Sequence, residues 1–394
     1  MLDTKKIQFY SLNAIAMLAQ MGIAIINLAL VYYLRYDASF SATLVGLAAS
    51  TYTFSYLLFC IVCASFYQRF KPRYCVLTSV LTMAFSAFVV VNSLSKVVIF
   101  IFLFIYGLGM SMLWPQLESW ITRNAEKDEL NKNTAAFNFS WSFGTGISPF
   151  ITTLLVQSST TLAFSTAIAI FIVVAIILIV LRYNKEIKEL GAEKDHISTM
   201  VDKNLKDNST ILRYYSWIAL FLVYTFLSVV LNIFPLYANE VLKISTNANG
   251  LLLFLRGMIT CFAFIALGKN HWWTFSPRLI FLVQFIYILI ILFSANTTNI
   301  VLIAISFILF GIIFSFAYSF SIFHSASGAL NRGLRMTIHE VILTFGTIIG
   351  ASLGGYIYDK LSYNMIFYYF AISAGIILLV ELIIFKTKKH SKLK

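Results

Sequence analysis

Charge is scarce in this chain. Of its 394 residues only 11% are Asp, Glu, Lys or Arg, against about 25% in soluble globular domains. So few charges cannot keep a surface mostly wetted, which excludes a soluble enzyme, a disordered chain and a fibrous protein. Signatures of chemistry are missing too. No Gly-x-x-x-x-Gly-Lys-Ser/Thr phosphate loop occurs, so ATP drive within the chain is not expected. His196, His271, His324, His339 and His390 are scattered. Cys60, Cys63, Cys75 and Cys261 supply no four-ligand set and read as packing residues. The expectation is no metal, no cofactor and no enzyme. A polytopic lipid-modifying enzyme would need paired carboxylates, a histidine cluster or a metal motif at the interface.

What is present is apolar length: 60% of residues are hydrophobic and mean hydropathy is +0.85. A helix crosses the hydrocarbon core with about 20 apolar residues, and lipid requires backbone polar groups to be paired within the segment. Twelve runs qualify: 8–34, 42–66, 75–94, 97–122, 134–157, 159–182, 211–236, 245–268, 278–295, 300–325, 335–358 and 364–386. They are continuous, without the alternating polarity of a membrane β-barrel. The polar connection 183–210 divides them six and six. The expected units are therefore 1–182, the loop 183–210, and 211–394. Lys5 and Lys6 precede a run too long for a signal-peptide core, so the first helix is expected to stay in the protein.

The net charge of +13 would suggest nucleic acid in a soluble protein. Its placement excludes that reading. Twenty-four of the 29 basic residues fall at the N-terminus, in every second loop, in the central loop and in the tail. The alternate loops hold only Arg35, Lys96, Lys243 and Lys360. Cytoplasmic loops are the ones enriched in Lys and Arg. Both termini are thus expected in the cytoplasm of a multi-pass plasma (inner) membrane protein. One basic residue, Arg256, lies inside a span.

Several motifs fit this layout. Gly107-Leu108-Gly109 and Pro115 lie in helix 4, and Gly146-Ile147-Ser148-Pro149 in helix 5. Arg332-Gly333-Leu334-Arg335 precedes Gly346, Gly350, Gly354, Gly355 and Asp359 around helix 11. Phe143-Gly144-Thr145 recurs as Phe345-Gly346-Thr347 in the equivalent helix of the second half. With twelve spans and a long central loop, the whole chain resembles the major facilitator superfamily of secondary transporters. It departs from the family pattern in two places. The loop Ala64–Arg73 keeps Arg69, Lys71 and Arg73 but lacks the family's acidic residue and glycines. Leu103 stands where helix 4 commonly carries an arginine.

The resemblance implies an all-α membrane fold of two six-helix bundles. It implies a monomeric secondary active transporter of a small organic solute, working by alternating access, with protons as the candidate coupling ion. A facilitative carrier and a drug or metabolite efflux pump share that fold, and a non-transporting receptor is the remaining alternative.

Ionisable residues within spans are costly and are usually functional or paired. Arg256 lies twelve residues from the end of its helix at Gly268, about 18 Å at 1.5 Å per residue. It either binds an anionic group of the substrate or pairs with Glu340. Glu118 and Glu340 either exchange protons as access alternates or join a cytoplasmic gate with Arg69, Arg73, Arg332 and Arg335. His339, beside Glu340, titrates near neutral pH in water. His324 and Glu381 read as interfacial. Trp114, Gln116, Asn138, Ser140, Trp141, Asn13, Gln20, Asn27 and Asn232 form a polar and aromatic set suited to lining a cavity. Trp120 and Trp217 read as members of the interfacial aromatic belt. Gly346, Gly350 and Gly354 share one helix face. With Gly144, Gly146 and Pro149 they provide either a smooth surface for bundle rocking or simple close packing.

Overall fold

The computed structural model describes residues 4–67, 69–122, 127–180, 210–328 and 332–391. Most of the loop 183–210 lies outside the described residues. No strand occurs among those described. Among the described residues twelve long helices run in sequence. The first six are α1 (Thr4–Tyr32), α2 (Ala42–Val62), α3 (Pro72–Val91), α4 (Lys96–Thr122), α5 (Lys127–Ser158) and α6 (Thr160–Val180). The second six are α7 (Leu212–Asn232), α8 (Thr246–Gly268), α9 (Pro277–Ala295), α10 (Ile300–Ala326), α11 (Arg332–Lys360) and α12 (Tyr363–Ser391). A π-helical turn, Tyr33–Asp37, prolongs α1, and a seven-residue helix, Phe234–Glu240, prolongs α7.

Eleven of the twelve are long and apolar enough to cross a membrane. The exception is α5. Its charge-free body is rich in Ser, Thr and Gly between Asn138 and Thr153, and the helix begins at Lys127, seven residues before the expected start at 134. Polar side chains hide a helix from hydropathy without breaking its backbone. Pro149 is accommodated inside α5, and Pro115 inside α4. Helix starts follow ordinary capping. Ser41, Ser245 and Ser276 accept from the backbone N–H three residues on, and Asn299 does so for α10.

Two apolar cores result. One is built almost wholly from α1–α6 around Ile15, Val80, Tyr106 and Phe171. The other is built largely from α7–α12 around Phe226, Tyr287 and Phe310. The bundles meet along α2 against α11 and α5 against α8. Twelve alternating helices place the start of α1 and the end of α12 on one face, the terminal face. The opposite face is termed distal.

The glycine faces divide between the two readings. Gly346 and Gly350 face the α7 backbone at Phe221 and Thr225, and Gly354 faces the Val229 side chain. Gly144 faces α1 at Met17. All four serve packing within a bundle, not the sliding surface. The close inter-bundle approach uses Gly146 instead: a Cβ on Gly257 of α8 would stand 2.6 Å from its Cα. Gly46 and Gly355 make the matching approach between α2 and α11, against Ala351 and Ala42.

Candidate functional site

A recess of about 180 Å³ lies between the bundles. Gln20 of α1 and Trp141, Ser142 and Thr145 of α5 line it from one side. Tyr224, Leu227 and Leu231 of α7, Arg256 and Thr260 of α8, and Phe314 of α10 line it from the other. Helices α1, α5 and α8 turn small or polar residues inward, whereas α7 and α10 contribute Leu227, Leu231 and aromatic rings. Thr260 and Ser315 tie α8 to α10 through Gly311 and Thr260 carbonyls, at 3.2 and 3.1 Å.

Among the described residues, Arg256 is the only basic one in this lining. It is 3% exposed, and its Nε is buried with no acceptor among the described residues. Among the described residues its guanidinium makes no ion pair; the expected pairing with Glu340 is not formed. Tyr224 lies within electrostatic reach of both Arg256 and Glu340. Glu340 is half-buried on α11, close enough to Glu118 of α4 for the two carboxylates to influence each other. Glu118 is exposed although it lies within a span, near the terminal end of α4.

An aromatic group adjoins this recess. Tyr318 of α10 has ring centroids of Phe264, Trp141 and Tyr224 at 5.4, 6.4 and 6.4 Å. The Trp141 Nε1 donates to Asn138 Oδ1 at 3.1 Å, and Asn138 is exposed. Trp114 packs edge-on against Phe137 and does not reach the recess. Asn232 does not line it either: its amide donates to the Ser228 carbonyl at 2.9 Å in its own helix. His339 faces away from Glu340, into α10, with Nδ1 2.7 Å from Ser321 Oγ. Adjacent helical positions diverge by about 100°, so the two cannot act as one unit.

Other residues also sit differently from expectation. His324 and Glu381 are buried, not interfacial. His324 Nδ1 lies 2.7 Å from Ser216 Oγ. Trp217 is buried, with Nε1 donating to Ser325 Oγ at 2.7 Å, and Trp120 joins the first core. Both leave the aromatic belt. Arg73 does not bridge the bundles, because its Nη2 donates to the Ile179 carbonyl at the end of α6, 2.7 Å away. Arg69 is exposed and Arg335 half-buried. The side chain of Arg332 lies outside the described residues.

The ionic closure stands at the distal face, where composition gave little hint of it. Arg35, beyond the end of α1, grips Glu240, beyond the end of α7, in a two-pronged pair of 2.5 and 3.0 Å. Tyr358 of α11 donates to the same carboxylate at 2.9 Å. Tyr32 of α1 accepts from Asn249 of α8 at 2.7 Å. The available signal was that Arg35 is one of four basic residues in the basic-poor loops.

Two six-helix bundles, a recess between them and a latch across one face define a polytopic membrane transporter. The chain belongs to the Major Facilitator Superfamily, whose sequence model matches residues 12–329. It is a multi-pass membrane protein and a secondary transporter, not an enzyme. Its fold is similar to that of the nucleoside transporter NupG, with TM-score 0.71, 12% identity, and 96% of this chain and 99% of that one covered. It is also similar to a bacterial homologue of the human lysosomal transporter Spinster in an inward-facing, unoccupied conformation. There the TM-score is 0.70 at 14% identity, over 92% of this chain and 83% of that one. A POT family transporter in complex with a thioalcohol-conjugated peptide gives TM-score 0.73 at 12% identity, over 96% of each chain. No curated protein matches the chain in sequence.

Proposed function

We propose that this protein carries a small organic solute with an anionic group across the plasma membrane by alternating access, and that Arg256 holds that group. The carrying observation is a buried guanidinium, without an acceptor at its Nε among the described residues, in the lining of the recess between the bundles. An isolated charge at this depth is expensive, and guanidinium geometry suits carboxylate and phosphate. The recess has the volume of roughly six liquid waters, which favours a small solute over a bulky drug. It is complete within one chain, so a monomer suffices.

Residues 1–182 and 211–394 act as the two rocking units, joined by 183–210. The bias of basic residues toward the terminal face supports a cytoplasmic location for both termini. With the distal latch closed and Glu118 and Asn138 exposed, the conformation then reads as inward-facing. Glu340, half-buried and outside any ion pair among the described residues, is the residue to take up a coupling proton.

A thermal-shift screen of purified protein against carboxylates, phosphates, sugars and nucleosides tests the reading, because a bound solute stabilises the fold. Hits are expected among the anions, weakened in Arg256→Lys and lost in Arg256→Ala. Stabilisation by neutral solutes alone, unchanged in Arg256→Ala, would overturn it.

A further inference from the structure

Four aromatic side chains line the recess: Trp141 of α5, Tyr224 of α7, Phe264 of α8 and Phe314 of α10. All four pack on the Tyr318 ring, with centroids at 6.4, 6.4, 5.4 and 6.1 Å. One ring touching four others holds them in fixed relation, so the aromatic wall stands before any solute arrives. Size adds a second constraint. An apolar cavity of about 150 Å³ takes up one benzene molecule. This recess measures about 180 Å³, which leaves room for a ring and one small substituent.

The charge stands at a fixed place relative to those rings. Arg256, Thr260 and Phe264 line the recess at four-residue steps along α8. They therefore share one helix face, at about 6 Å per step. Thr260 is level with Phe314: its hydroxyl donates to the Gly311 carbonyl at 3.2 Å, and its carbonyl accepts from Ser315 at 3.1 Å. Phe314 in turn lies 5.1 Å from Tyr224. An aromatic pair thus stands about one helical turn beyond Arg256, and Phe264 follows one turn further toward the terminal face. A carboxylate carried on a ring, or a bond or two from it, matches this spacing. Among the described residues Arg256 is also the only charged side chain in the lining. One cation balances a carboxylate, whereas a phosphate monoester brings a charge of about −1.5 to −2 near neutral pH.

We infer that the recess accepts a compact aromatic carboxylate, with its carboxylate on Arg256 and its single ring among Trp141, Tyr224, Phe264 and Phe314. This rests on the anion reading above and names its substrate class. Ring–ring contacts in offset and edge-to-face geometry add to the burial of area. A saturated ring of the same carbon count therefore separates ring recognition from plain apolar burial.

Calorimetry and thermal shift on the full chain compare benzoate, cyclohexanecarboxylate, acetate, 2-naphthoate and benzyl alcohol. Benzoate should bind most tightly. Cyclohexanecarboxylate should be about two- to tenfold weaker, the range of one aromatic pair. Acetate, which buries no ring, should be weaker by at least about tenfold. The second ring of 2-naphthoate exceeds the space, so it should bind more weakly than benzoate. Phe264→Leu and Trp141→Leu each keep an apolar side chain while removing a ring. Each should narrow the advantage of benzoate over cyclohexanecarboxylate and leave cyclohexanecarboxylate bound. Arg256→Ala should abolish binding of every acid. Equal binding of benzoate and cyclohexanecarboxylate by wild type would overturn ring recognition and leave the anion site standing, as would a benzoate advantage that survives both leucine variants. Binding of 2-naphthoate as tight as benzoate would overturn the limit to one ring. Binding of benzyl alcohol but of no acid would overturn the anion reading itself.

Discussion

Asp359, in the last turn of α11, caps Thr43 in the first turn of α2, across the boundary between the bundles. Its carboxylate accepts from the Ala42 and Thr43 backbone N–H groups at 3.1 and 2.7 Å, and from the Thr43 hydroxyl at 2.6 Å. The first turn of a helix has free N–H donors and a partial positive charge, so an acidic residue there is favoured twice. Here the cap comes from the other bundle. It must therefore be released whenever the distal face opens.

Removing the cap should shift the conformational equilibrium. Replacing an N-cap acceptor by alanine costs about 1 kcal/mol, or about fivefold in a two-state ratio. Asp359→Ala is expected to enrich the distal-open state by that factor, and Asp359→Asn by less. Spin labels at Leu94 and Leu361, exposed on the distal face of the two bundles, report the change as growth of a longer-distance population. An unchanged distance distribution in Asp359→Ala would show that the cap does not bias the equilibrium.

The Arg35–Glu240 pair should show coupling of the same order. Its side chains are 26% and 24% exposed, so water screens part of the attraction. Two-pronged geometry and the Tyr358 hydroxyl on the same carboxylate raise its value above an ordinary surface pair. A double-mutant cycle of Arg35→Ala and Glu240→Ala, read by thermal unfolding in detergent, is expected to give about 1 kcal/mol of coupling, declining with added salt. Strict additivity of the two substitutions would show that the pair contributes nothing.

How much of this was legible in the sequence follows from what each signal depends on. Long apolar runs name spans directly, since lipid leaves the backbone no other option, and eleven helices stand close to the expected bounds. The polar first turns of α5 gave no such signal. Arg256 stood out because it is alone in its span. The glycine period in α11 correctly placed three residues on one face, yet periodicity does not say which neighbour that face meets. Trp120 and Trp217 lie near helix ends, as belt residues do, but neighbouring helices cover both. The distal latch joins Arg35 to Glu240 across 205 positions, and the cap joins Asp359 to Thr43 across 316. Such relations exist only once the bundles are packed.

Packing at the glycine face gives a sharp contrast. A methyl on Gly350 would collide with the Thr225 carbonyl of α7, a backbone atom that cannot rotate away. Overpacking of that kind costs about 2 kcal/mol or more. Gly350→Ala should therefore lower the melting temperature and the yield of folded protein. Gly375 of α12 has nothing within 4 Å of an added methyl. Gly375→Ala should be neutral or stabilising by up to about 1 kcal/mol, from helix propensity alone. Equal effects of the two substitutions would contradict the close approach of α11 to α7.

Glu381 poses the opposite case, a charged side chain whose removal should do no harm. It is 3% exposed on α12, and among the described residues neither carboxylate oxygen has a hydrogen-bond partner of good geometry, with the Gln284 side chain close by. One turn away, the Phe385 ring packs against Tyr215 and Phe281 at 5.7 and 5.4 Å. An uncompensated buried carboxylate destabilises a fold, and replacing such a group by a neutral one of similar size is often neutral or favourable. Glu381→Gln and Glu381→Leu are both expected to match or exceed wild type in thermal unfolding, by about 1 kcal/mol at most. If both variants lost several kcal/mol instead, Glu381 would have to be held by a partner in the membrane, and its burial would need a different account.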